Sequence, residues 1–305
     1  MSTEASVSPS PPASSANDES QRFTRNVWLS NRSFYVCLTI IGGTYVFLIV
    51  AMIAADTWYM AEKSVRAAMA AASPLQAFLF ENPVAEALAD RKIRYSIWLS
   101  LISCTLSAVF SLLVAVPIGY LLARHEFRGK RLLDAILDIP IVLPPLVVGL
   151  SLLILFQYPP FAWIARDVVY QLSAVVLAQF SVAAAFAVRT MKSTFDHINP
   201  RCEQVAVTLG CSRVQAFGWV VLPEASRGMM TAFTLAWARS LGEFGPLLIF
   251  AGATRMKTEV LSTSVFLELN VGNIEAAVAV SLIMVLAAVA VLVITRRWGV
   301  RDVVL

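Results

Sequence analysis

The chain has 305 residues, 58% of them hydrophobic and only 14% charged, with a formal net charge of +4. A soluble protein carries about 25% charged residues, so an ordinary water-soluble domain is excluded. The four cysteines, Cys37, Cys104, Cys202 and Cys211, lack the paired spacing of a zinc site. Cys37 and Cys104 fall in apolar stretches, where cysteine acts as a small buried hydrophobe, and neither a disulfide framework nor a metal site follows.

Residues 1–33 contain "STEASVSPSPPASSANDES", rich in Ser, Pro and Ala and without an apolar period. Such a stretch buries too little surface to offset its ordering entropy and is expected to be a disordered tail. It is no signal peptide, because no apolar core follows a basic start. Six apolar spans follow, at about 34–55, 95–123, 139–156, 168–188, 229–251 and 274–295. The fold class is therefore all-α, a polytopic membrane protein with about six transmembrane helices.

An even count places both termini on one side. That side carries 15 of the 24 Lys and Arg residues and the other carries 8, with Arg239 inside a span. Positive charge stays cytoplasmic, so the termini and the connection containing Glu203–Pro223 are expected in the cytoplasm. The first external connection, about 56–94, is expected to form short amphipathic helices separated by Pro74 and Pro83. It reads either as a cap on the bundle or as a docking surface for an extracytoplasmic partner.

The third span opens with "DIPIVLPPLVVGLSLL". Pro140, Pro144 and Pro145 remove amide donors from a membrane helix, which is tolerated where protein or a water-lined path covers the break. A packing kink and a path-lining segment both fit. In the fifth span, "ARSLGEFG" places Arg239 and Glu243 four residues apart, on one helix face. A charge at that depth costs roughly 2.5–3.5 kcal/mol on insertion scales and faces protein or water. The two residues form either an internal ion pair or part of a path, where Gly242 and Gly245 would let helices close as a gate.

There is no GxxxxGK[ST] loop to cradle a nucleotide and no HExxH. His125 and His197 lie in separate connections without companion ligands and read as solvated loop residues. Any energised work falls to another chain. One connection, "EQVAVTLGCSRVQAFGWVVLP", is too polar to cross a bilayer and too regular for a casual loop. Asn199 can cap a helix with Pro200 at its first position. Gly210 suits a left-handed stop, and Ser212 can cap a second helix that ends at Leu222-Pro223. Cys202, Val205, Ala206 and Leu209 share a face. The helix–glycine–helix shape fits either insertion into a partner's groove or a membrane-surface hairpin.

This stretch resembles the signature loop of the permease subunits of bacterial ATP-binding-cassette importers, written EAA, three residues, G, nine residues, I-x-L-P. Gly210 fits the glycine, and Val220, Leu222 and Pro223 fit I-x-L-P. Gln204 stands at the glutamate position, Val205 at the first alanine and Ala206 at the second. Glu203, one residue earlier, is a possible stand-in for the acid. "GYLLARHEFRGKRLLDAILDIPIVLPPLVVGLSLLILF" and "WARSLGEFGPLLIFAG" resemble the second, third and fifth spans of molybdate, tungstate and sulfate permeases, whereas "ATRMKTEVLSTSVFLEL" departs from the molybdate pattern.

The resemblance implies a type I importer permease fold in a bacterial plasma membrane. The permease domain would occupy 34–298, with a coupling loop at about 190–227 and a short cytoplasmic C-terminus at 299–305. The implied partners are a cytoplasmic ATPase dimer that binds ATP and Mg, a second permease chain, identical or merely similar, an extracytoplasmic solute-binding protein and the lipid bilayer. No nucleic acid partner and no catalytic residue in this chain are implied. Related permeases for ferric iron, thiamine or polyamines share such a loop. An autonomous channel or secondary transporter would account for the broken third span but not for the loop.

Overall fold

The structure, a computed structural model, describes residues 13–70 and 87–300. All regular structure among them is helical. The chain divides into two units at Tyr59–Met60.

The first unit belongs to one helix, α1 (Ala13–Ala70). Its side chains from Phe34 to Trp58, Cys37 included, are exposed on every face. A helix apolar all round is built for cover by lipid or another protein, so Cys37 is not enclosed by this chain. Residues 13–33 are helical, where composition alone suggests an irregular tail. Adding turns to an existing helix costs far less than nucleating one, and the apolar span supplies the nucleus. The 1–12 part of the tail and the 71–86 part of the first connection, with Pro74 and Pro83, lie outside the described residues. The connection is also shorter than expected, because α1 continues to Ala70.

The second unit is a helical bundle. Its first helix is α2 (Arg91–Arg124), capped by the Asp90 carboxylate, which accepts from Lys92 N at 2.8 Å. At about 1.5 Å per residue its 34 residues exceed a hydrocarbon core of about 30 Å. Next come α3 (Lys130–Val142) and α4 (Pro145–Leu155), which meet at a bend of 113°. Pro144 and Pro145 force the bend. Each lacks an amide, and each pushes its predecessor out of the helical region, so Leu143 and Pro144 are extended at ψ 141° and 134°.

The helix α5 (Leu172–His197) is continuous. It is followed by α6 (Pro200–Thr208) and, past Gly210, by a helical run into α7 (Ser226–Leu241). The sequence marks Leu222-Pro223 as the end of that run, and the structure differs. A π-type turn, Phe217–Val221, opens the ladder ahead of Pro223, and Leu222–Glu224 carries the helix onward. A wide turn absorbs the missing proline amide without stopping the chain.

The fifth span is not one helix. It breaks after Leu241 and resumes as a second π-type turn, Leu247–Ala251. Gly242, Gly245 and Pro246 supply the break, glycine by low helix propensity and proline by its missing donor. Among the described residues four helices are long and apolar enough to cross a membrane, or five with the bent pair. The difference from six lies in this interruption. Beyond Gly252 the chain turns back into the bundle: Leu261 N donates to Ser100 Oγ at 2.8 Å, two to three turns inside α2. A short helix, α8 (Leu261–Val271), then leads to the last span, α9 (Ile274–Val300).

The core lies where α2, α5 and α7 meet, and it is made of small side chains. Cys104, Ala108 and Ala115 of α2, Ala178, Ala183 and Ala187 of α5, and Ala232 and Ala236 of α7 are fully buried. Water does not drive helices together in lipid, so association rests on close packing that small residues permit. At Gly119 a Cβ would come within 2.8 Å of Met191 Cβ and 2.9 Å of the Lys192 amide. Gly119→Ala is therefore expected to cost about 1–3 kcal/mol through overpacking. Gly42, with nothing within 4 Å, should accept alanine without loss. Thermal denaturation in detergent, followed by monodispersity on size exclusion, separates the two.

Candidate functional site

The predicted site residues fall into two groups. Glu203, Gln204, Val205, Ala206, Gly210, Val220, Leu222 and Pro223 belong to the loop end of the bundle. Arg239, Gly242, Glu243, Gly245, Pro144 and Pro145 surround the breaks in the third and fifth spans. Tyr120 serves the first group, while Thr105, 15 residues earlier on α2 and so roughly 22 Å away, accepts from Trp237 Nε1 of α7, two residues before Arg239.

The loop is set by local caps. Asn199 Oδ1 accepts from Arg201 N at 3.0 Å, and Pro200 opens α6. Gly210 has φ +97°, and Cys211 N donates to Ala206 O at 3.1 Å, closing the helix C-terminus. Ser212 and Gln215 form a reciprocal capping box, at 3.3 and 2.8 Å. A side chain at Gly210 would meet no atom, so the glycine is required by its backbone conformation.

Of the apolar face, Ala206 is buried, while Val205, Leu209 and Val214 stand out, the last two 81% exposed. Cys202 and Gln204 are exposed as well. Val220 and Leu222 are half-buried and Pro223 is exposed. Burying a Val or Leu side chain contributes roughly 1.5–3 kcal/mol, against about 0–1 kcal/mol for an exposed ion pair. Whatever covers this ridge would gain mostly from the apolar stripe.

Glu203 points the other way. Its carboxylate accepts from Tyr120 Oη at 2.5 Å and lies 4.0 Å from Arg124 Nε, both on the last turns of α2. Arg124 Nη2 also donates to Ile198 O, at 2.8 Å, just ahead of the α6 cap. The Tyr120 ring packs edge-on against Phe217 at 4.7 Å and against the buried Phe195 at 5.6 Å. A cavity of about 900 Å³ opens beside this junction, lined by Tyr120, Arg124 and Glu203 themselves and, on its apolar side, by Pro117, Leu121 and Val207.

At the breaks, Arg239 Nη1 lies 2.6 Å from Glu243 Oε2. Glu243 sits just past the end of α7 and is 1% exposed; Arg239 is 28% exposed. Apart from Arg239, no hydrogen-bond donor among the described residues reaches the Glu243 carboxylate. The guanidinium also stands 5.7 Å from the centre of the Phe186 ring. The Glu243 carbonyl accepts from Ser262 Oγ at 2.7 Å, which ties the break to the returning segment. Gly245 lies against the other break: a Cβ there would be 2.8 Å from Pro145 C and Cβ. Gly149 repeats the contact, its virtual Cβ 2.7 Å from Pro246 Cα. Gly242 and Pro144 are exposed and take no part in this contact.

Several residues emerge only here. Asp134 and Asp138 of α3 pair with Arg189 of α5, and Asp134 also pairs with Lys192 at 2.9 Å. The Ser264 hydroxyl sits between Ser96 Oγ, at 2.9 Å, and Glu259 Oε1, at 2.8 Å. Tyr120 and Arg124 carried one legible signal: a tyrosine and an arginine one turn apart close a span that is otherwise uncharged. His125, expected to be a solvated loop residue, is exposed and lies edge-on to Tyr120 at 6.0 Å.

Broken and continuous membrane helices, tightly joined at their breaks, with a capped helix–glycine–helix ridge projecting from one end, define a multi-pass membrane subunit of a transport system. Residues 115–301 match the family of binding-protein-dependent transport system inner membrane components. The chain belongs to this family of permease subunits of ATP-binding-cassette transporters. It is 34% identical over 198 residues to the sulfate transport system permease protein CysT of Escherichia coli, covering 63% of this chain and 72% of that one. It is 38% identical over 152 residues to the molybdate/tungstate transport system permease protein WtpB of Pyrococcus abyssi, covering 50% and 58%. It is 32% identical over 174 residues to the molybdenum transport system permease protein ModB of Haemophilus influenzae, covering 55% and 76%. In fold it matches a chain of a bacterial transporter that imports the acidic polysaccharide alginate, with a TM-score of 0.63 at 15% identity over 91% of this chain and 99% of that one.

Removing one partner of a buried pair strands the other charge, at about 3–5 kcal/mol. Arg239→Ala is therefore expected to reduce the yield of monodisperse protein sharply, while Arg239→Ala with Glu243→Ala recovers most of it. Comparing size-exclusion profiles of the single and double variants checks this.

Proposed function

We propose that this chain is the membrane-spanning subunit of an importer for a tetrahedral oxyanion of the sulfate, molybdate or tungstate class. The observation that carries the mechanism is the projecting ridge. Its exposed Val205, Leu209 and Val214 are held on rigid caps and offer an apolar key for a groove on a separate ATPase. That ATPase binds ATP and Mg²⁺, and this chain supplies path and coupling. The substrate class is supported by the sulfate and molybdate/tungstate permeases named above. They favour an oxyanion over ferric iron, thiamine or a polyamine.

The path forms with a second permease chain, beside the breaks where Gly245 meets Pro145 and Gly149 meets Pro246. Close glycine–proline contacts of this kind can slide and separate without unfolding a helix. An extracytoplasmic binding protein delivers the solute at the opposite end of the bundle. The alginate importer supports this reading by analogy, since it also has a structure with an alginate-bound periplasmic protein. The basic bias of the loop side supports a cytoplasmic position for that side and for both termini.

Two measurements test this reading. Gly210→Asp puts a side chain on a φ of +97° and a charge in the ridge. In proteoliposomes with its ATPase and binding protein, this variant should insert normally and lose most ATP-driven uptake of radiolabelled sulfate or molybdate. Wild-type uptake by it would refute the docking role. A reporter fused after Leu305 should be cytoplasmic, and a cysteine at Ser73 should react with an impermeant thiol reagent in intact cells. Protection of that cysteine would reverse the orientation.

A further inference from the structure

The ridge needs a mechanical link to the membrane helices if motion is to pass between them, and the side chains that provide it are visible. We infer that Glu203 is a positioning residue: with Tyr120 and Arg124 it locks α6 onto the end of α2, so that ridge and span move as one body. It is thus not a docking acid for the ATPase. The inference rests on the importer reading and assigns a role that the loop's signature does not.

The geometry favours an inward role on three counts. First, both Glu203 oxygens are engaged by α2: Oε1 by the Tyr120 hydroxyl at 2.5 Å, Oε2 by Arg124 at 4.0 Å. The side chain is only 18% exposed, and it lines the cavity beside α2 together with Tyr120 and Arg124. Second, the neighbouring Gln204, at the position where the signature has its glutamate, is exposed. An acid meant for a partner would be expected there, and this chain has an amide. Third, three separate segments converge on Tyr120 and Arg124. The end of α5 is held through Ile198 O, α6 through Glu203, and the helix beyond Gly210 through the Phe217 ring. A cavity of about 900 Å³ opens beside this junction, so the side-chain link from α6 to α2 there runs through Glu203.

Distance decides which contact matters. A separation of 4.0 Å is the limit of an ion pair and leaves Arg124 Nε without a hydrogen bond. The Tyr120 hydroxyl is therefore the main contact, and what Glu203 must supply is an acceptor oxygen rather than a charge. Glutamine retains such an oxygen and alanine does not. A docking acid would behave differently, because glutamine and alanine would abolish its ion pair alike.

The experiment uses the full transporter, with ATPase and binding protein, reconstituted in proteoliposomes. It measures two things: ATPase retained on the permease, and the factor by which binding protein stimulates ATP hydrolysis. Tyr120→Phe keeps the ring cluster and loses only the hydroxyl. With ATPase retention unchanged, Tyr120→Phe and Glu203→Ala should each lower the stimulation factor roughly fivefold, the effect of one net hydrogen bond. Their combination should be no worse than either alone, and Glu203→Gln should stay near wild type. Loss of ATPase retention in both Glu203→Gln and Glu203→Ala would overturn the inference, since the carboxylate would then face the ATPase. Wild-type stimulation in Tyr120→Phe would overturn it too. Should Tyr120→Phe fail to assemble, the contrast between glutamine and alanine at 203 still decides. A wild-type chain that retains no ATPase refutes the importer reading itself, whereas a normal wild-type complex with misbehaving variants refutes only the lock.

Discussion

The close approach of α2, α5 and α7 through alanine, glycine and serine is the constraint on which the rest of this molecule depends. In lipid there is no solvent to squeeze apolar faces together, so helices associate where backbones can come near. Gly119 touching the α5 backbone at Met191–Lys192, and the buried alanines above it, set that distance. Once it is set, Tyr120 must meet Phe195, and Arg124 must reach the carbonyl of Ile198. The platform beneath the ridge thus depends on small residues of the same helix, from Gly119 beside Tyr120 back through Ala115 and Ala108. The serines of α2 exploit the same closeness, with Ser100 receiving the amide of Leu261 and Ser107 donating to Val176 O.

A second constraint is the need to satisfy backbone and charge wherever a span is interrupted. Both interruptions lie against protein. The α3–α4 bend packs on the Gly245–Pro246 break, and the returning segment covers that break through Ser262. Irregular backbone in a membrane is tolerated only under such cover. The Arg239–Glu243 pair sits at the same place. Its cost is lowered by proximity and by the Phe186 ring, but no further donor among the described residues reaches the Glu243 carboxylate. A buried pair of this kind is weak as a source of stability. It lies where the backbone of the fifth span is interrupted, with Glu243 just past the end of α7.

The two ends of the unit have different mechanical character. At the loop end, caps at Asn199, Gly210 and Ser212, an aromatic cluster and the Tyr120–Glu203 hydrogen bond hold α6 to α2. The break region is jointed by glycine–proline contacts without side-chain hydrogen bonds across them. The network of Asp134 and Asp138 with Arg189 and Lys192 adds a strap between α3 and α5, below the bend.

The sequence by itself determined what depends on near neighbours. The caps at Asn199 and Ser212, the left-handed Gly210, the proline bend of the third span and the last span at Ile274–Thr295 were all legible, because each involves residues within a few positions. The glycine and Leu-Pro spacing made the loop recognisable for the same reason. What only tertiary structure decided involves partners far apart in the chain. Glu203 and Tyr120 are 83 residues apart, and nothing local shows that the carboxylate turns inward. Leu261 and Ser100 are 161 residues apart, so the returning segment was hidden behind an ordinary apolar stretch. Hydropathy also joined Met229 to Ala251 as one span, since it sums apolar character and is blind to the backbone break that Gly242, Gly245 and Pro246 impose. Local rules state which conformations a segment can hold. Packing chooses the face that each segment turns to its neighbours, and here that choice separates the exposed Val205 and Leu209 of α6 from the Glu203 carboxylate turned toward α2.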